Sequence, residues 1–445
     1  LVVVVMTFLL AKKLFDLNVA WIAAILVLGC GLLWKFSVSG LSTMLVLIIF
    51  MGLARVILKI EETAREPEPR ARLLLLLSAV AGLLAGTGAL TRYAFGWVIV
   101  PVIVFLILFS GPRRVLHALV AFGVFAAVLT PWVIRNFDVS GAPFGTASFA
   151  AAEGTPVFPQ FQLERSLHPQ LWQALWINLY FHKLLTNVSD ILTNDLPRLG
   201  GSWAGMLFLT GLLLSFRGPA IRRMRYFLLM CLGMFIVVQA LGRTQLSVET
   251  PEVNSENLLV LLAPMIFIFG VALFFTLLEQ MNLEIGGLRY LVVTLFVALS
   301  CLPMIFALLP PKTSPVAYPP YYPPDISQSS GWMKPNELMM SDVPWAVAWY
   351  GDRQCVWLTM NAQDDFFAIN DNLKPIEALY LTPETMDGRF LTDWIRPKEY
   401  SWGSFIIQAV IKNQIPPGFP LRQAPSGFLP ERLFLTDRPR WKNLP

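Results

Sequence analysis

Two arginines at the ends of apolar runs are the residues best suited to chemistry. Arg92 and Tyr93 follow one such run in ALTRYAFGW, and Arg135 and Asn136 follow another in TPWVIRNFD. A guanidinium group is a permanent cation whose planar N–H groups bind phosphate with two parallel hydrogen bonds. The pair therefore predicts a binding site for an anionic phosphate. The alternative is that each arginine extends to lipid headgroups and only fixes the end of a helix.

Acidic and histidine side chains are candidates for acid–base or metal chemistry. We single out Glu153, His168 and His182, which fall in the polar stretch after Asn136. A divalent cation bound by one histidine with Glu153 or Glu164 is an open alternative, but the spacing shows no close cluster of ligands, so we predict no metal site. Other carboxylates of the same stretch and beyond are expected to be solvated loop charges: Asp138, Asp190, Asp195, Glu249, Glu252 and Glu256.

The composition predicts that membrane helices position these residues. Of the 445 residues 56% are hydrophobic and only 14% are charged, and the mean hydropathy is +0.60. These values exclude an ordinary soluble enzyme, a disordered chain and a coiled coil. The net charge of +5 follows from basic residues between apolar runs. Because no stripe of Lys and Arg with interleaved aromatics occurs, we expect no nucleic-acid partner.

Nine runs are apolar enough to lie in a lipid bilayer, whose hydrocarbon core requires about 20 residues of helix. An earlier run, Leu1 to Ala11, is too short to cross. The nine predicted segments are Val19 to Trp34, Leu41 to Leu58, Leu73 to Leu90, Phe95 to Ser110, Val115 to Val133, Trp203 to Phe216, Tyr226 to Leu241, Leu258 to Leu278 and Leu291 to Leu309.

Lysine and arginine concentrate in alternate loops, which predicts the orientation by the positive-inside rule. The opposite side then contains Arg92, Arg135 and the polar tail. We therefore expect an integral protein of a bacterial inner membrane, with its C-terminal domain in the periplasm. The loops predicted to be cytoplasmic contain Lys12, Lys13, Lys59, Arg65, Arg70, Arg72, Arg113, Arg114, Arg217, Arg222, Arg223, Arg225 and Arg289.

The chain divides into a mainly α polytopic membrane domain, 1–309, and a small extracytoplasmic α/β domain, 328–445. Within the first, about 135–202 is an external loop, and HPQLWQALWINLYFHKLL predicts a helix lying in the membrane interface. Residues 310–327 form a proline-rich linker with extended polyproline geometry. In the tail, ELMMSD, CVWLT and IEALYLTP alternate with helix-like DDFFAINDN and SFIIQAVIKN. Its aromatic residues suit docking on the membrane part or a protein partner, or equally an ordinary small core.

Gly82 and Gly86 lie four residues apart in GLLAGTGAL. Without a preceding strand they are not a dinucleotide-binding loop. Small residues at this spacing favour close packing between two membrane helices.

Several of these motifs together resemble one enzyme family. GLLAGTGALTRY followed, after one cytoplasmic hairpin, by PWVIRNFDVSGAPF is similar to the membrane glycosyltransferases of the GT-C type, the group of protein O-mannosyltransferases and aminoarabinose transferases (family-39-like). The segments LLAKKLFDLNVAWIAAILVL and LLWKFSVSGLSTMLVLIIFMGLARVI resemble the second to fourth membrane segments of the group. MMSDVPWAVAWYGDRQCVWLT is similar to the extracytoplasmic extension of some bacterial members.

The resemblance implies a GT-C-like helical bundle and a reaction. A polyprenyl-phosphate sugar in the outer leaflet donates its glycosyl group to an acceptor, with a carboxylate as general base and cations on the departing phosphate. In the family the key Asp lies in the first external loop, after the first helix. We therefore expect the catalytic acid upstream of Leu1, and the implied substrate-binding candidates are Arg92, Tyr93, Arg135, Asn136, Glu153, His168 and His182.

One position departs from the family. Members often have Arg-Tyr before an LLPLLP-like run, whereas this chain has Glu256 and Asn257 before LLVLLAPM. An anion therefore replaces a cation that binds phosphate. The alternative hypothesis is a catalytically inactive GT-C-like subunit that scaffolds a membrane complex through its C-terminal domain. A transporter is less favoured, because the charges lie at helix ends rather than along a pathway.

Overall fold

The computed structural model describes residues 1–158, 162–167, 177–199, 203–213, 218–243, 253–281, 286–309, 321–362, 364–386, 402, 405–406, 409, 415–416, 418–425 and 432–443. The chain forms two compact units. Unit 1 comprises Leu1–Gln160 and Trp172–Pro310, and unit 2 comprises Phe161–Leu171 and Pro311–Pro445.

The fold is mainly helical. Two 3-10 segments, Tyr93–Val98 and Gly145–Ala151, and a π-helical turn, Ile191–Asp195, interrupt the α-helices of unit 1, and a further 3-10 turn, Leu259–Leu262, leads into α13. The α-helices are α1 (Val2–Leu14), α2 (Leu17–Leu28), α3 (Gly31–Val38), α4 (Thr43–Ala64), α5 (Ala71–Thr91), α6 (Ile99–Phe109), α7 (Arg114–Ser140), α8 (Gln162–Arg165), α9 (Ile177–Asp190), α10 (Leu196–Arg198), α11 (Trp203–Leu213), α12 (Pro219–Gly242), α13 (Ala263–Gln280), α14 (Gly286–Leu308), α15 (Pro323–Gly331), α16 (Pro344–Gly351), α17 (Asp364–Asn372) and α18 (Pro383–Met386).

Six helices of the described chain are long and apolar enough to cross a membrane: α4, α5, α7, α12, the stretch Leu259–Gln280 that includes α13, and Gly287–Phe306 within α14. They coincide with six of the nine predicted segments. Two further segments are shorter apolar helices, Tyr93–Phe109 and Trp203–Leu212. The chain is an integral membrane protein, because helices of this kind satisfy their own backbone hydrogen bonds in lipid.

The predicted span from Val19 to Trp34 is a broken pair instead of one helix. Helices α2 and α3 meet at a bend of 53°, where the backbone of Cys30 is extended. A Cβ atom on Gly29 would lie 2.3 Å from the Sγ atom of Cys301 in α14. Only a glycine therefore allows α14 to approach the bend this closely.

Glycines bring α5 and α7 into direct backbone contact. A Cβ atom on Gly82 would lie 2.1 Å from the carbonyl oxygen of Ala121, and one on Gly86 would lie 2.9 Å from the Cβ of Val128. This contact confirms the close packing predicted from the glycine spacing.

Replacing Gly82 with Ala should destabilise unit 1, because the new methyl group cannot fit without separating α5 from α7. We expect a loss of about 1–3 kcal/mol, measured as a lower thermal midpoint of the full chain in detergent. Gly123→Ala in α7 is the matched control, since a Cβ atom there meets nothing within 4 Å. An equal effect of the two substitutions would contradict the proposed packing.

Unit 2 contains a four-stranded sheet with the order β2-β1-β3-β4, formed by β1 (Leu338–Ser341), β2 (Gln354–Trp357), β3 (Ile376–Leu381) and β4 (Leu433–Thr436). β1 pairs in parallel with β2 and β3, and β4 pairs antiparallel with β3. On β3, Leu379 and Leu381 belong to one apolar cluster while Ala378 and Tyr380 belong to the other, as expected when side chains alternate between two covered faces. The prediction of a small C-terminal α/β domain is confirmed.

A segment from between the membrane helices completes unit 2. The guanidinium of Arg165 in α8 donates from Nε to the carbonyl of Leu358 at 2.8 Å and from Nη2 to that of Thr359 at 3.1 Å. Leu167 packs on the apolar cluster of the sheet. Our sequence analysis assigned this segment to the external loop of the membrane domain.

The proline-rich linker ends earlier than we predicted. Residues 310–320 lie outside the described part of the chain, but a helix, α15, begins at Pro323 rather than after residue 327. Proline is accepted in the first turn of a helix, where its missing N–H has no partner to lose. The prediction of extended geometry is therefore wrong for Pro323 onward.

A buried arginine links the last described segment of unit 2 to the sheet. Nη1 of Arg440 lies 2.6 Å from Oε2 of Glu337, Nη2 lies 2.6 Å from Oε2 of Glu377, and Nε donates to Oδ1 of Asp437 at 2.9 Å. Desolvation opposes ionisation of Glu337, but hydrogen bonds from Arg440 and from the backbone N–H of Lys334 outweigh it and lower its pKa to about 2. A carboxylate with this shift stabilises the fold only while it is ionised.

We expect unit 2 to lose stability in acid through Glu337. Its pKa in the fold lies below the ordinary value of 4.5, so its stabilisation is full above that value and is lost as the pH falls towards 2. The protection of β1 and β3 amides against exchange in the full chain, relative to their intrinsic exchange rates at each pH, should fall less steeply between about pH 6 and about pH 3 in Glu337→Gln than in the parent. The exposed Asp371→Asn is the control, and identical pH profiles for parent and Glu337→Gln would contradict the assignment.

Candidate functional site

Arg92 occupies the turn after α5. Arg92 leaves the helix with an extended backbone, φ −154° and ψ 113°, and its Nη2 donates to Oγ1 of Thr43 at 2.8 Å. Its Nη1 is buried and has no hydrogen-bond partner in the described chain. A buried guanidinium nitrogen without an acceptor favours an anionic ligand, because leaving such a donor unpaired is costly.

The hydroxyl of Tyr93 connects the turn after α5 to Trp132 and Asn136. Its Oη accepts hydrogen bonds from Nε1 of Trp132 at 2.5 Å and from Nδ2 of Asn136 at 3.0 Å. The guanidinium of Arg135 lies over the Trp132 ring, 4.9 Å from its centre. The structure thus brings together Tyr93 and Asn136, one residue from each of the two motifs. We call Arg92, Tyr93, Trp132, Arg135 and Asn136 the arginine corner.

Arg135 and Asn136 lie in a helix and not in the loop where we placed them. Helix α7 continues to Ser140 and ends where Gly141 adopts a left-handed backbone, φ +70°. Pro131 inside the helix does not stop it, since proline in a membrane helix is tolerated when neighbours compensate the lost hydrogen bond. The continued helix directs the Asn136 side chain at Tyr93.

An aromatic cluster packs beside the arginine corner. The ring of Phe95, just after Tyr93, lies 6.4 Å from those of Phe50 in α4 and Phe235 in α12. A Cβ atom on Gly88 would lie 2.3 Å from the Phe95 ring. The glycine lets the turn fold back on α5, so three membrane helices fix the position of Arg92 and Tyr93.

The segment after α7 covers Tyr93. The ring of Phe144 lies 5.4 Å from that of Tyr93 in an edge arrangement, and Nδ2 of Asn136 also donates to the carbonyl of Pro143 at 3.4 Å. Gly154 at the far end of the segment has φ +72°. We call residues 141–154 the strap.

A lysine holds the far end of the strap. The buried Nζ of Lys183 in α9 donates to the carbonyls of Ala150 at 2.8 Å, Ala151 at 3.2 Å and Glu153 at 2.5 Å. Desolvation lowers the pKa of Lys183 to about 8, and Glu256 and Glu153 oppose this shift electrostatically. The Glu153 side chain is also buried, so the structure places this candidate at the lysine.

Glu256 is the acidic residue that departs from the family pattern, and it has a cation in its surroundings. Glu256 interacts electrostatically with Lys183, and Asn257 accepts the backbone N–H of Val260 at the start of the next helix. The resemblance to the family did not anticipate this electrostatic interaction between the acid and the lysine. Neither residue is adjacent in sequence to the other, so no motif could have indicated the pair.

A second polar cluster joins α9, α12 and α13. Nη1 of Arg243 lies 2.5 Å from Oδ2 of Asp190 and 3.6 Å from Oδ2 of Asp195. Nε2 of Gln239 donates to Asp195 at 3.3 Å while its Oε1 accepts the N–H of Leu258 at 2.9 Å. Burial raises the pKa of Asp195, and Arg243 opposes this effect. We had expected both aspartates to be solvated loop charges.

Of the two predicted histidines, His182 is described and belongs to neither cluster. His182 is exposed on α9, and His168 lies outside the described residues, as do residues 171–176 of the predicted interfacial helix. Within the described ranges, no three His, Cys, Asp or Glu side chains converge as cation ligands. The arrangement that is present suits binding of an anion at the arginine corner, with permanent positive charge in a partly dehydrated setting.

Substituting Gln239 with Leu should destabilise the joint between α12 and α13. The change removes the acceptor of two backbone N–H groups, Leu258 and Leu259, and the donor to Asp195. Buried polar groups left in this way cost about 1–3 kcal/mol, which thermal unfolding of the full chain in detergent would measure. Gln280→Leu, at the exposed end of α13, is the control. A smaller loss in Gln239→Leu than in the control would contradict this role.

No protein-family model and no curated protein matches the chain. Among solved structures it is similar to the oligosaccharyltransferase AglB of Archaeoglobus fulgidus, described in complex with an inhibitory peptide and a dolichol-phosphate: identity is 12%, the TM-score is 0.52, and the match covers 90% of this chain and 59% of that one. For the apo form of the A. fulgidus oligosaccharyltransferase, the identity is 12% and the TM-score is 0.53, and the match covers 87% of this chain and 58% of that one. For ArnT from Cupriavidus metallidurans in the apo state, the identity is 14% and the TM-score is 0.34, and the match covers 86% of this chain and 77% of that one.

The similarity to the two AglB structures establishes the fold. The chain has a GT-C-type helical bundle, so the predicted fold class is confirmed. It spans about three fifths of the length of the AglB chains.

Proposed function

We propose that this chain is a membrane glycosyltransferase that transfers a sugar from a polyprenyl-phosphate donor to an acceptor at the extracytoplasmic face. The observation that carries the proposal is the buried, unpaired Nη1 of Arg92 in a fold of the GT-C type. The AglB structure contains a dolichol-phosphate, a member of the same chemical class as the proposed donor. Fold alone does not select a substrate, so Arg92 is the basis of the assignment.

The geometry gives each residue of the arginine corner a role. Arg92 donates from Nη1 to a phosphate oxygen, which favours departure of the phosphate from the sugar as negative charge develops on it. Nδ2 of Asn136 donates to Oη of Tyr93 at 3.0 Å, and this hydrogen bond fixes the two side chains at the edge of the site. Arg135 adds a second positive charge on the same side, although its contact with Trp132 limits its reach.

The remaining predicted residues keep more distant roles in the proposal. His182 and His168 are candidates for contact with an acceptor near the membrane surface, and Glu153 acts through Lys183. A bacterial inner membrane with the tail in the periplasm is the proposed setting, which places donor and acceptor in the compartment that the arginine corner faces.

Replacing Arg92 with Ala should lower sugar transfer by about 100-fold, the usual effect of removing one donor to a developing anion. The assay uses the full-length protein in nanodiscs with a radiolabelled polyprenyl-phosphate sugar. Arg92→Lys keeps the charge but loses the planar pair of N–H groups, and we expect an intermediate rate.

Arg72→Ala, at the opposite end of α5, is the matched control and should transfer at the parent rate. Thermal unfolding of each variant separates loss of transfer from loss of fold. Parent-like transfer by folded Arg92→Ala would remove the proposed role of this residue.

One observation favours the alternative of a scaffolding subunit. Helix α16 of unit 2 exposes aromatic side chains on its surface: Trp349 is 82% exposed and Trp345 is 51% exposed. Large exposed aromatic groups are enriched where proteins bind partners. Native mass spectrometry after purification in mild detergent distinguishes the two functions, since an active single chain contradicts the scaffold and an inactive chain in a fixed complex supports it.

A further inference from the structure

The strap is an ordered segment between two attachment points. It begins at Gly141 and ends at Gly154, both with left-handed backbones, φ +70° and φ +72°. Its middle is the 3-10 helix Gly145–Ala151, which contacts α7 and α12. The glycines allow the chain to reverse at each end without strain.

One attachment is the arginine corner itself. Phe144 packs edge-on against Tyr93 at 5.4 Å, and Asn136 donates to the carbonyl of Pro143. Tyr93 therefore has the strap on one side and α7 on the other. Any movement of the strap changes the surroundings of the side chain next to Arg92.

The other attachment is the ammonium of Lys183. The carbonyls of Ala150 and Ala151 end a 3-10 helix, where carbonyl oxygens lack partners within the helix and carry partial negative charge. Together with the carbonyl of Glu153 they give three acceptors, which matches the three donors of a lysine ammonium. The nearby carboxylates of Glu153 and Glu256 add favourable charge.

Lys183 is itself on a fixed helix. Nδ2 of Asn187, one turn further along α9, donates to the carbonyl of Ala240 in α12 at 2.7 Å, and Asp190 is paired with Arg243. A continuous series of contacts therefore runs from α12 through α9 and the strap to Tyr93. The lysine is the link that carries it into the strap.

We propose that Lys183 is a positioning residue whose ammonium group seats the strap against the arginine corner. The proposal rests on the function proposed above, because it concerns the shape of the same site. Lys183 does not touch the phosphate; it acts through Phe144 and Pro143 on Tyr93 and Asn136. Removing its three donors leaves three strap carbonyls unsatisfied and releases the segment locally.

Hydrogen exchange of the full chain in nanodiscs tests the proposal without sugar transfer. In Lys183→Met, which keeps an unbranched apolar side chain one atom shorter than lysine but removes all three donors, amides of 141–154 should exchange at least about 10-fold faster, while α5 and α7 keep parent protection. Thr186→Met, exposed on the same helix, is the control and should leave the strap unchanged. Parent-like exchange of the strap in Lys183→Met would overturn the proposal.

Chemical rescue separates a positioning role from a general loss of packing. In Lys183→Ala, methylammonium supplies three N–H donors to the vacated carbonyls and should restore slow exchange in the strap. Tetramethylammonium has the same charge and no N–H donor, and it should not. Equal rescue by both cations, or by neither, would overturn the assignment of the ammonium hydrogen bonds as the restraint.

Transfer kinetics then connect the strap to the proposed reaction. We expect Lys183→Met to lower kcat/KM by at least about 10-fold, with recovery by methylammonium in Lys183→Ala. If the parent transfers no sugar while the exchange results hold, the proposed function fails and the seating role of Lys183 stands. If transfer is normal in a variant whose strap is released, the positioning role is wrong.

Discussion

The direct contact between α5 and α7 determines the geometry of the arginine corner. At Gly82 and Gly86 the two helices approach so closely that a methyl group does not fit. The ends of these helices supply the two halves of the arginine corner, so their separation decides whether Tyr93 reaches Asn136. In lipid, where apolar side chains gain little from leaving the solvent, such close packing of small residues is a principal source of helix association.

Several polar groups of the described chain are paired near helix ends, and these pairs connect elements far apart in sequence. Lys183 joins α9 to the strap, Gln239 joins α12 to α13, and Arg243 bridges two aspartates. In a medium of low dielectric constant each pair is strong when complete and costly when broken. Arg92 is different, because one of its nitrogens is buried without an acceptor, and this difference is the strongest local reason to expect an anionic ligand there.

Much of the fold follows from the sequence, because long apolar runs have few alternatives to membrane helices. The glycine contact and the α/β tail were predictable from spacing and residue type, whereas the hydrogen bond between Tyr93 and Asn136 was not. The end of α7 was not, since Arg135 and Asn136 are polar yet remain helical until Gly141 reverses the backbone. Hydropathy also could not show the bend at Gly29, which depends on a side chain of α14.

The hydrogen bonds from Lys183 to the strap could not be predicted from the sequence for a physical reason. Its acceptors are backbone carbonyls, which every residue has, so Ala150 and Ala151 give no signal of their role. Strand β4 was missed because it is short and pairs only at the edge of the sheet. Helix α15 was missed because prolines that start a helix resemble prolines of an extended linker.

The composition of unit 2 has a consequence for how the protein is made. The sheet is held in part by α8, whose sequence lies between those of membrane helices. It also depends on β4 and Arg440, which are synthesised after β1, β2 and β3. The ribosome produces these pieces roughly 270 residues apart, a delay of tens of seconds at ordinary elongation rates of about 5–20 residues per second. The carbonyl of Leu358 that accepts a hydrogen bond from Arg165 is made 193 residues after it, and the sheet of unit 2 is complete only after β4 has been translated.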